Sequence, residues 1–446
     1  MRIRPPHSAA TTTLSLSLIL LVAASATAAT PRPAAPDALT LAHVVVHYDP
    51  GRPNSAPSDA QVTGSAVETA WDRIVVGGAG PNNMGFRRPP PDGTTGSGQD
   101  LLDVYLTPHP TEDNFDGGTV LVDENGQTYM VITPKDRGEG IRGLAAHEFF
   151  HAVQHAYTYG FGAFTEGTAN WASGLVVQTT FGGDEEWMLG EERLPLDCSY
   201  DTWPASGGVE CGNGYRQALF FTGVSGRRGT DVIRRAFELS EGLTPGTAGR
   251  VTSDDGMEGL QRALAERGST LANELAAHAQ AVNDPTRWPR PAELLNAYRY
   301  GGAPGEKVKE YVSGRPTYAP DPVGIIARGR AAVSGVQPLP HLAYRVIRMR
   351  RPARAARRGD RLRITVTPNQ APRPGARLVV LTGTKQYGKR KTVVLARVPG
   401  KRVRWAVTIQ FGPAEATAGQ PLVLVNDSYD RDGLRFSWTA TILRPR

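Results

Sequence analysis

Residues 141–172, IRGLAAHEFFHAVQHAYTYGFGAFTEGTANWA, hold the side chains whose types and spacing could do chemistry. His147, Glu148 and His151 form an HExxH arrangement, and Glu166 follows after 14 intervening residues. Positions four apart share one helix face about 6 Å apart along the axis, so two imidazoles there can converge on one metal ion. Glu148 lies about 100° round the helix from His147, too far to complete the same chelate. It still reaches a water on the metal's open side and is a candidate general base. Three protein ligands and one water make a catalytic zinc site, where metal-bound water ionises near neutral pH.

The flanking residues must position these groups. Gly138, Gly140 and Gly143 precede the run, LAAHEFFHAVQHAY predicts a helix, and Gly160 and Gly162 end it. Leu144, Phe150, Val153 and Tyr157 recur at near-helical spacing and would face a core. Beyond His151 the helix continues for about 13 Å, and the six steps from Gly160 to Glu166 can span about 20 Å. The chain can therefore return to the metal and start a second helix at Glu166. Asn170, one turn further on, is a candidate acceptor for the free N–H of a ligand histidine. His155 lies about 12 Å along the axis from His147, too far to be a third ligand. The plainer alternative is a buried helix whose histidines are only hydrogen-bonded.

HEFFHAVQHAY followed by FTEGTANWA resembles the zincin metallopeptidases of the gluzincin branch, in particular bacterial secreted members. The resemblance covers residues 144–172 closely and roughly 40–284 more faintly. It implies an α+β catalytic domain, a small β-sheet over an α-helical half, with an edge strand above the metal that pairs with extended peptide. It further implies zinc held by His147, His151 and Glu166, and peptide-bond hydrolysis with Glu148 as base. Tyr215, followed by the small Ala218 and an apolar run, is similar to the segment of some gluzincins that supplies a tyrosine to the oxyanion. A tyrosine packed at a helix start reads equally from those residues.

At 446 residues the chain is long enough for two or three domains. Residues 1–28 read as a signal peptide: Arg2 and Arg4 precede the apolar run LSLSLILLVAA, and Ala26-Thr27-Ala28 offers a small-residue cleavage site. That run is too short for a membrane span, and no later run reaches 18 apolar residues. An exported protein without a transmembrane segment is expected. Cys198 and Cys211 are the two cysteines, and in an oxidising compartment they are most simply a disulfide. In residues 182–201 the acidic Asp184, Glu185, Glu186, Glu191, Glu192 and Asp197 read as a solvated loop, or else a rim for basic substrate groups or calcium; no EF-hand spacing is present.

Residues 29–39, with PRPAAP, read as an exposed linker, and 40–336 as the catalytic domain. Within it LTLAHVVVHYD predicts one strand, placing His43 and His47 on one face, and residues 59–76 predict a helix. LLDVYLT predicts a second strand, and residues 118–133 predict a hairpin turning at Asn125-Gly126. Residues 337–446 change character to short alternating segments bounded by Gly, Pro and Asp, the pattern of an all-β sandwich. From residue 341 onward the chain carries 23 Lys and Arg against 5 Asp and Glu, whereas the rest carries 27 against 38. That basic module reads as a solvated surface, as attachment to an anionic envelope polymer, or as a surface docking on the acidic half. No motif for reading nucleic-acid bases appears. The expected function is a secreted zinc peptidase acting on protein or peptide. The alternatives are a non-catalytic surface- or polymer-binding protein on a zincin scaffold, and an aminopeptidase, for which no amine-binding acidic motif is evident.

Overall fold

The structure is a computed structural model and describes residues 31–76, 83–90, 100–108, 117–133, 139–157, 163–177, 217–241, 255–283, 323–325, 332–339, 343–350, 357–368, 376–382, 391–395, 405–411, 420–426 and 434–444. The signal-peptide reading, the acidic segment, Cys198, Cys211 and Tyr215 lie outside these residues.

The first part is mixed α/β. Strands β1 (Asp37–Thr40), β2 (Val44–Tyr48), β3 (Leu102–Leu106), β4 (Gly118–Val122) and β5 (Thr128–Ile132) form one sheet in the order β1-β2-β3-β5-β4. The three central strands are parallel, and β1 and β4 run antiparallel at the edges. A parallel pair needs a crossover, and α1 (Pro57–Ile74) supplies it between β2 and β3. Pro57 opens that helix, and the Asp59 carboxylate accepts from the Ala56 N–H at 3.0 Å. The β4–β5 hairpin turns on Gly126, at φ 77°, while Asp123 Oδ1 accepts from the N–H groups of Asn125 and Gln127.

The single strand expected at the start of this sheet is two strands. Leu41 N–H closes a turn onto Val44 C=O at 2.9 Å, and His43 stacks on Trp71 at 4.5 Å. Glu68 holds both the His43 N–H (2.7 Å) and its Nδ1 (2.6 Å). His43 therefore sits in a turn, and His47 lies apart from it on β2, stacked on Tyr105 and 2.7 Å from Asp103. The shared face read from the sequence does not exist, because the turn interrupts the alternation.

Alternation along the central strands sends Val44, Val46, Leu102, Val104, Leu106, Met130 and Ile132 into the main core. Tyr105, Tyr129 and Val131 pack on the opposite face. There residue 32 departs from the exposed linker expected over 29–39. Arg32 is largely covered, its side chain 11% exposed, and ion-paired to Asp103 and Asp123, with its guanidinium 5.2 Å from the centre of the Tyr129 ring. Two carboxylates whose side chains are 0% and 4% exposed explain the burial of this cation.

Helices α2 (Glu139–Gln154), α3 (Ala163–Val177), α4 (Ala218–Arg228), α5 (Asp231–Ser240), α6 (Asp255–Glu266) and α7 (Leu271–Asn283) make the remainder of this part. They meet in an aromatic knot centred on Phe86. Its ring touches Phe150 of α2 at 5.0 Å, Trp171 of α3 at 6.3 Å and Phe237 of α5 at 5.8 Å, all near edge-on.

The second part contains two sheets. One has the order β11-β10-β13-β8-β6 and the other β12-β9-β14-β7. Their strands are β6 (Val323–Ile325), β7 (Ala332–Leu339), β8 (Ala343–Arg350), β9 (Arg361–Pro368), β10 (Ala376–Thr382), β11 (Lys391–Leu395), β12 (Trp405–Gln410), β13 (Gln420–Asn426) and β14 (Leu434–Leu443). The boundary expected between residues 336 and 337 falls inside β7, and β6 already pairs with β8. The three-residue β6 is too short to show a period, so the earlier start left no pattern to read.

Phe86 is fully buried and its ring packs against three helices. Phe86→Ala should lower the unfolding free energy by about 3–5 kcal/mol, read as the denaturant midpoint at unchanged slope. Val62→Ala, on the exposed face of α1, should stay within about 0.5 kcal/mol of the parent.

Candidate metal centre

The apolar stripe of α2 locks it into the core through Leu144, Phe150 and Val153, all buried. Its histidines leave that stripe on the side facing α3. Nε2 of His147 and Nε2 of His151 lie 3.0 Å apart. Oε2 of Glu166, from the first turn of α3, lies 3.2 Å from the first and 3.4 Å from the second. Among the described residues this is the group of His, Cys, Asp and Glu side chains that converges as a metal site would.

Hydrogen bonds fix which ring nitrogens face inward. The Asn170 amide oxygen sits 2.9 Å from His147 Nδ1 and can only accept, so Nδ1 carries the hydrogen. The Gln154 amide nitrogen donates to the Thr165 carbonyl (2.9 Å) and to the Thr168 hydroxyl (3.0 Å), which in turn donates to the Phe164 carbonyl. That turns Gln154 Oε1 toward His151 Nδ1 at 2.8 Å, where it accepts. Both imidazoles thus present Nε2 to the same point, with the second N–H held by an amide oxygen.

These residues fit a bound divalent ion. Ligand atoms about 2.0–2.1 Å from a tetrahedral zinc are about 3.3–3.4 Å from one another, and the three separations here are 3.0, 3.2 and 3.4 Å. Glu166 Oε2 is buried with no hydrogen bond, an arrangement that costs free energy unless a cation meets the oxygen. Charge shifts point the same way. Burial opposes charge on His151, but the Glu166 carboxylate outweighs it and lifts the imidazole to about 9. Burial alone would raise Glu166, yet the charge on His151 holds its carboxyl well below the usual range. Three electron-rich atoms in a buried place demand positive charge between them. Two imidazoles and one carboxylate form one of the donor sets that hold catalytic zinc.

Glu148 stands outside this trio. It is 4% exposed, and burial pushes its carboxyl up against the opposing pull of His147 and His151. The backbone of Gly118, first residue of the edge strand β4, lies directly against it: a Cβ at Gly118 would meet Glu148 Cγ at 2.3 Å. His155 is not in the cluster. Its Nδ1 is 3.1 Å from the Thr128 hydroxyl, and burial lowers it to about 4.

No protein-family model matches the chain, and no curated protein is significantly similar to it. The functional reading therefore stands on the site itself. Sequence reasoning missed Gln154 and Gly118. Gln154 had a signal, a polar residue three positions after His151 on a helix otherwise apolar there; Gly118 had none beyond its place at a strand start.

Gln154→Leu keeps the volume and removes the acceptor for His151 Nδ1–H. Affinity for Zn²⁺ should fall about 10–100-fold, measured by competition with a chromogenic chelator on protein shown to be folded by its thermal melt. Unchanged affinity would mean that His151 does not depend on this bond.

Proposed function

We propose that the chain is an exported zinc-dependent peptidase of gluzincin type, with His147, His151 and Glu166 holding the metal and Glu148 as general base. The observation that carries this reading is the buried trio of ligand atoms, each imidazole backed by an amide oxygen, beside a buried carboxyl that is not part of the trio. Bound zinc would supply Lewis acidity toward a peptide carbonyl and acidify a water molecule. Glu148 takes a proton from the attacking water on its carboxylate and delivers it to the nitrogen of the departing amine. Burial raises its carboxyl above the usual range, which strengthens it as the base that takes the proton. The outer edge of β4, whose first residue Gly118 lies against Glu148, pairs with no strand among the described residues and offers backbone groups to which an extended peptide can add as a further strand. Tyr215 remains the candidate for oxyanion stabilisation.

The competing reading is a binding protein on the same scaffold. It has no use for a buried carboxyl beside the donor trio, where ionisation is opposed and solvation lost. Export rests on the reading of residues 1–28, and among the described residues no helix is long and apolar enough to cross a membrane.

For the second part we propose a β-sandwich that attaches the enzyme to an anionic polymer. On β9, β12 and β14 the exposed positions include Arg361, Arg363, Arg435, Thr408, Thr439 and Ser437, and none of the exposed positions on these strands is acidic. The full chain should bind a phosphate-bearing glycan at low salt and release it as salt rises. Arg361→Glu with Arg363→Glu should weaken that binding at least tenfold without affecting zinc content. Equal binding by the double variant would remove this face from consideration.

The peptidase reading is tested by two substitutions. Glu148→Gln should reduce cleavage of a quenched fluorescent peptide library by at least about 100-fold, with zinc, measured by elemental analysis, still bound at about one per chain. Glu166→Ala should lose metal and activity together. Zinc lost from Glu148→Gln would make that residue a ligand, and full activity in either variant would end the assignment.

A further inference from the structure

At the start of β4 the place where a side chain would stand is taken by Glu148. Gly118 pairs with Ile132 of β5 and lies over α2. A Cβ there would approach Cγ, Cδ and Oε1 of Glu148 at 2.3, 2.8 and 2.9 Å. Real Cβ atoms do not approach other atoms so closely, and Glu148 is 4% exposed, so its carboxylate has no solvent side into which to swing freely. The preceding residue is held with equal care. Thr133 Oγ1 accepts from Gly117 N–H at 2.7 Å and donates to Gly117 C=O at 2.7 Å, and the Thr133 N–H reaches the same carbonyl at 2.8 Å. Gly117 has φ 150°, in the region that favours glycine. Three hydrogen bonds therefore fix both main-chain polar groups of Gly117 at a strand end, where sheets ordinarily fray.

We propose that Thr133, through Gly117, seats the bare backbone of Gly118 against Glu148 and so sets the position of its carboxylate. Gly118 and Thr133 are positioning residues, and the idea rests on the reading of Glu148 as general base. The physical case is steric. A glutamate side chain has three rotatable bonds, and a general base must hold its oxygen within hydrogen-bond reach of the proton it takes. Burial alone leaves several rotamers; a backbone surface in van der Waals contact along Cγ and Cδ removes those that fold toward β4. With Glu148 in its present rotamer, the same contact excludes every side chain larger than hydrogen at position 118. The glycine there serves close approach rather than a turn.

The test is Gly118→Ala, with Thr133→Val and Thr133→Ser as companions. In Gly118→Ala the new methyl should displace Glu148 to another rotamer, seen in a crystal structure of the zinc-loaded variant. Zinc content should equal that of the parent, kcat should fall about 100-fold, and KM should change by less than about threefold, since misplacing a reacting group by about 1 Å costs that much. Thr133→Val, which loses both hydroxyl bonds, should lower kcat in the same direction, and Thr133→Ser, which retains them, should restore it. A merely structural role would lower stability in all three variants with no split between kcat and KM. Glu148 in its present rotamer in Gly118→Ala, or kcat within threefold of the parent there, overturns the proposal. If Gly118→Ala does not fold, the Val and Ser pair decides. If the parent itself cleaves no peptide, the peptidase reading fails, and the Glu148 rotamer in the variant structure still decides this one.

Discussion

Three electron-rich atoms about 3 Å apart in a buried place repel one another unless positive charge lies between them, and this constraint organises the α/β part. Two imidazole nitrogens and one carboxylate oxygen are brought to that distance by two helices. The helix period alone supplies the pairing of His147 with His151. The third atom needs tertiary structure: α3 must be held against α2 with Glu166 in its first turn. Phe86, Phe150 and Trp171 do this from the apolar side. Gln154 does it from the polar side, bonding His151 with one end of its amide and the first turn of α3 with the other. One side chain thus orients a ligand and staples together the two helices that carry all three.

The same helix carries Glu148 toward the sheet. Successive positions on a helix diverge by about 100°, so Glu148 and the two histidines face different neighbours, β4 on one side and α3 on the other. The division separates their chemistry. The ligands sit where positive charge is stabilised, whereas Glu148 sits where burial favours the neutral acid. A carboxyl with that bias accepts a proton more readily than an exposed one.

Local patterns in the sequence carried much of this. The metal helix, the return to a second helix near Glu166 and the Asn-Gly hairpin all follow from spacing within a few residues, and the structure has α2, α3, β4 and β5 at those places. The strand reading failed at His43, because the pull of Glu68 and Trp71, distant in sequence, turned the chain inside a β-branched run. Gly118 was silent for a related reason. What matters about it is a neighbour 30 residues away on another element, and a glycine at a strand start looks the same whether it serves a turn or a close approach. Arg32 illustrates the limit most clearly. In a Pro- and Ala-rich segment one arginine reads as solvated, and its two carboxylate partners lie 71 and 91 residues along the chain.

Arg32 also shows how the far face of the sheet bears on the site. Asp103 on β3 pairs with Arg32 and with His47 on β2, while Asp123, at the mouth of the β4–β5 turn, pairs with the same guanidinium. One cation therefore ties the centre of the sheet to its edge hairpin. Removing one partner from a buried ion pair leaves the other uncompensated and costs about 3–5 kcal/mol, so these carboxylates need their arginine as the core needs its aromatics. Glu148 lies on the opposite face, yet Gly118 belongs to that hairpin and meets it directly. The sheet transmits the connection because its strands are rigid and their register is fixed: a shift of the hairpin would move the backbone that bounds the Glu148 carboxylate. The surroundings of Glu148 are built from both sides of the sheet, by apolar packing beneath it and by a charge network above.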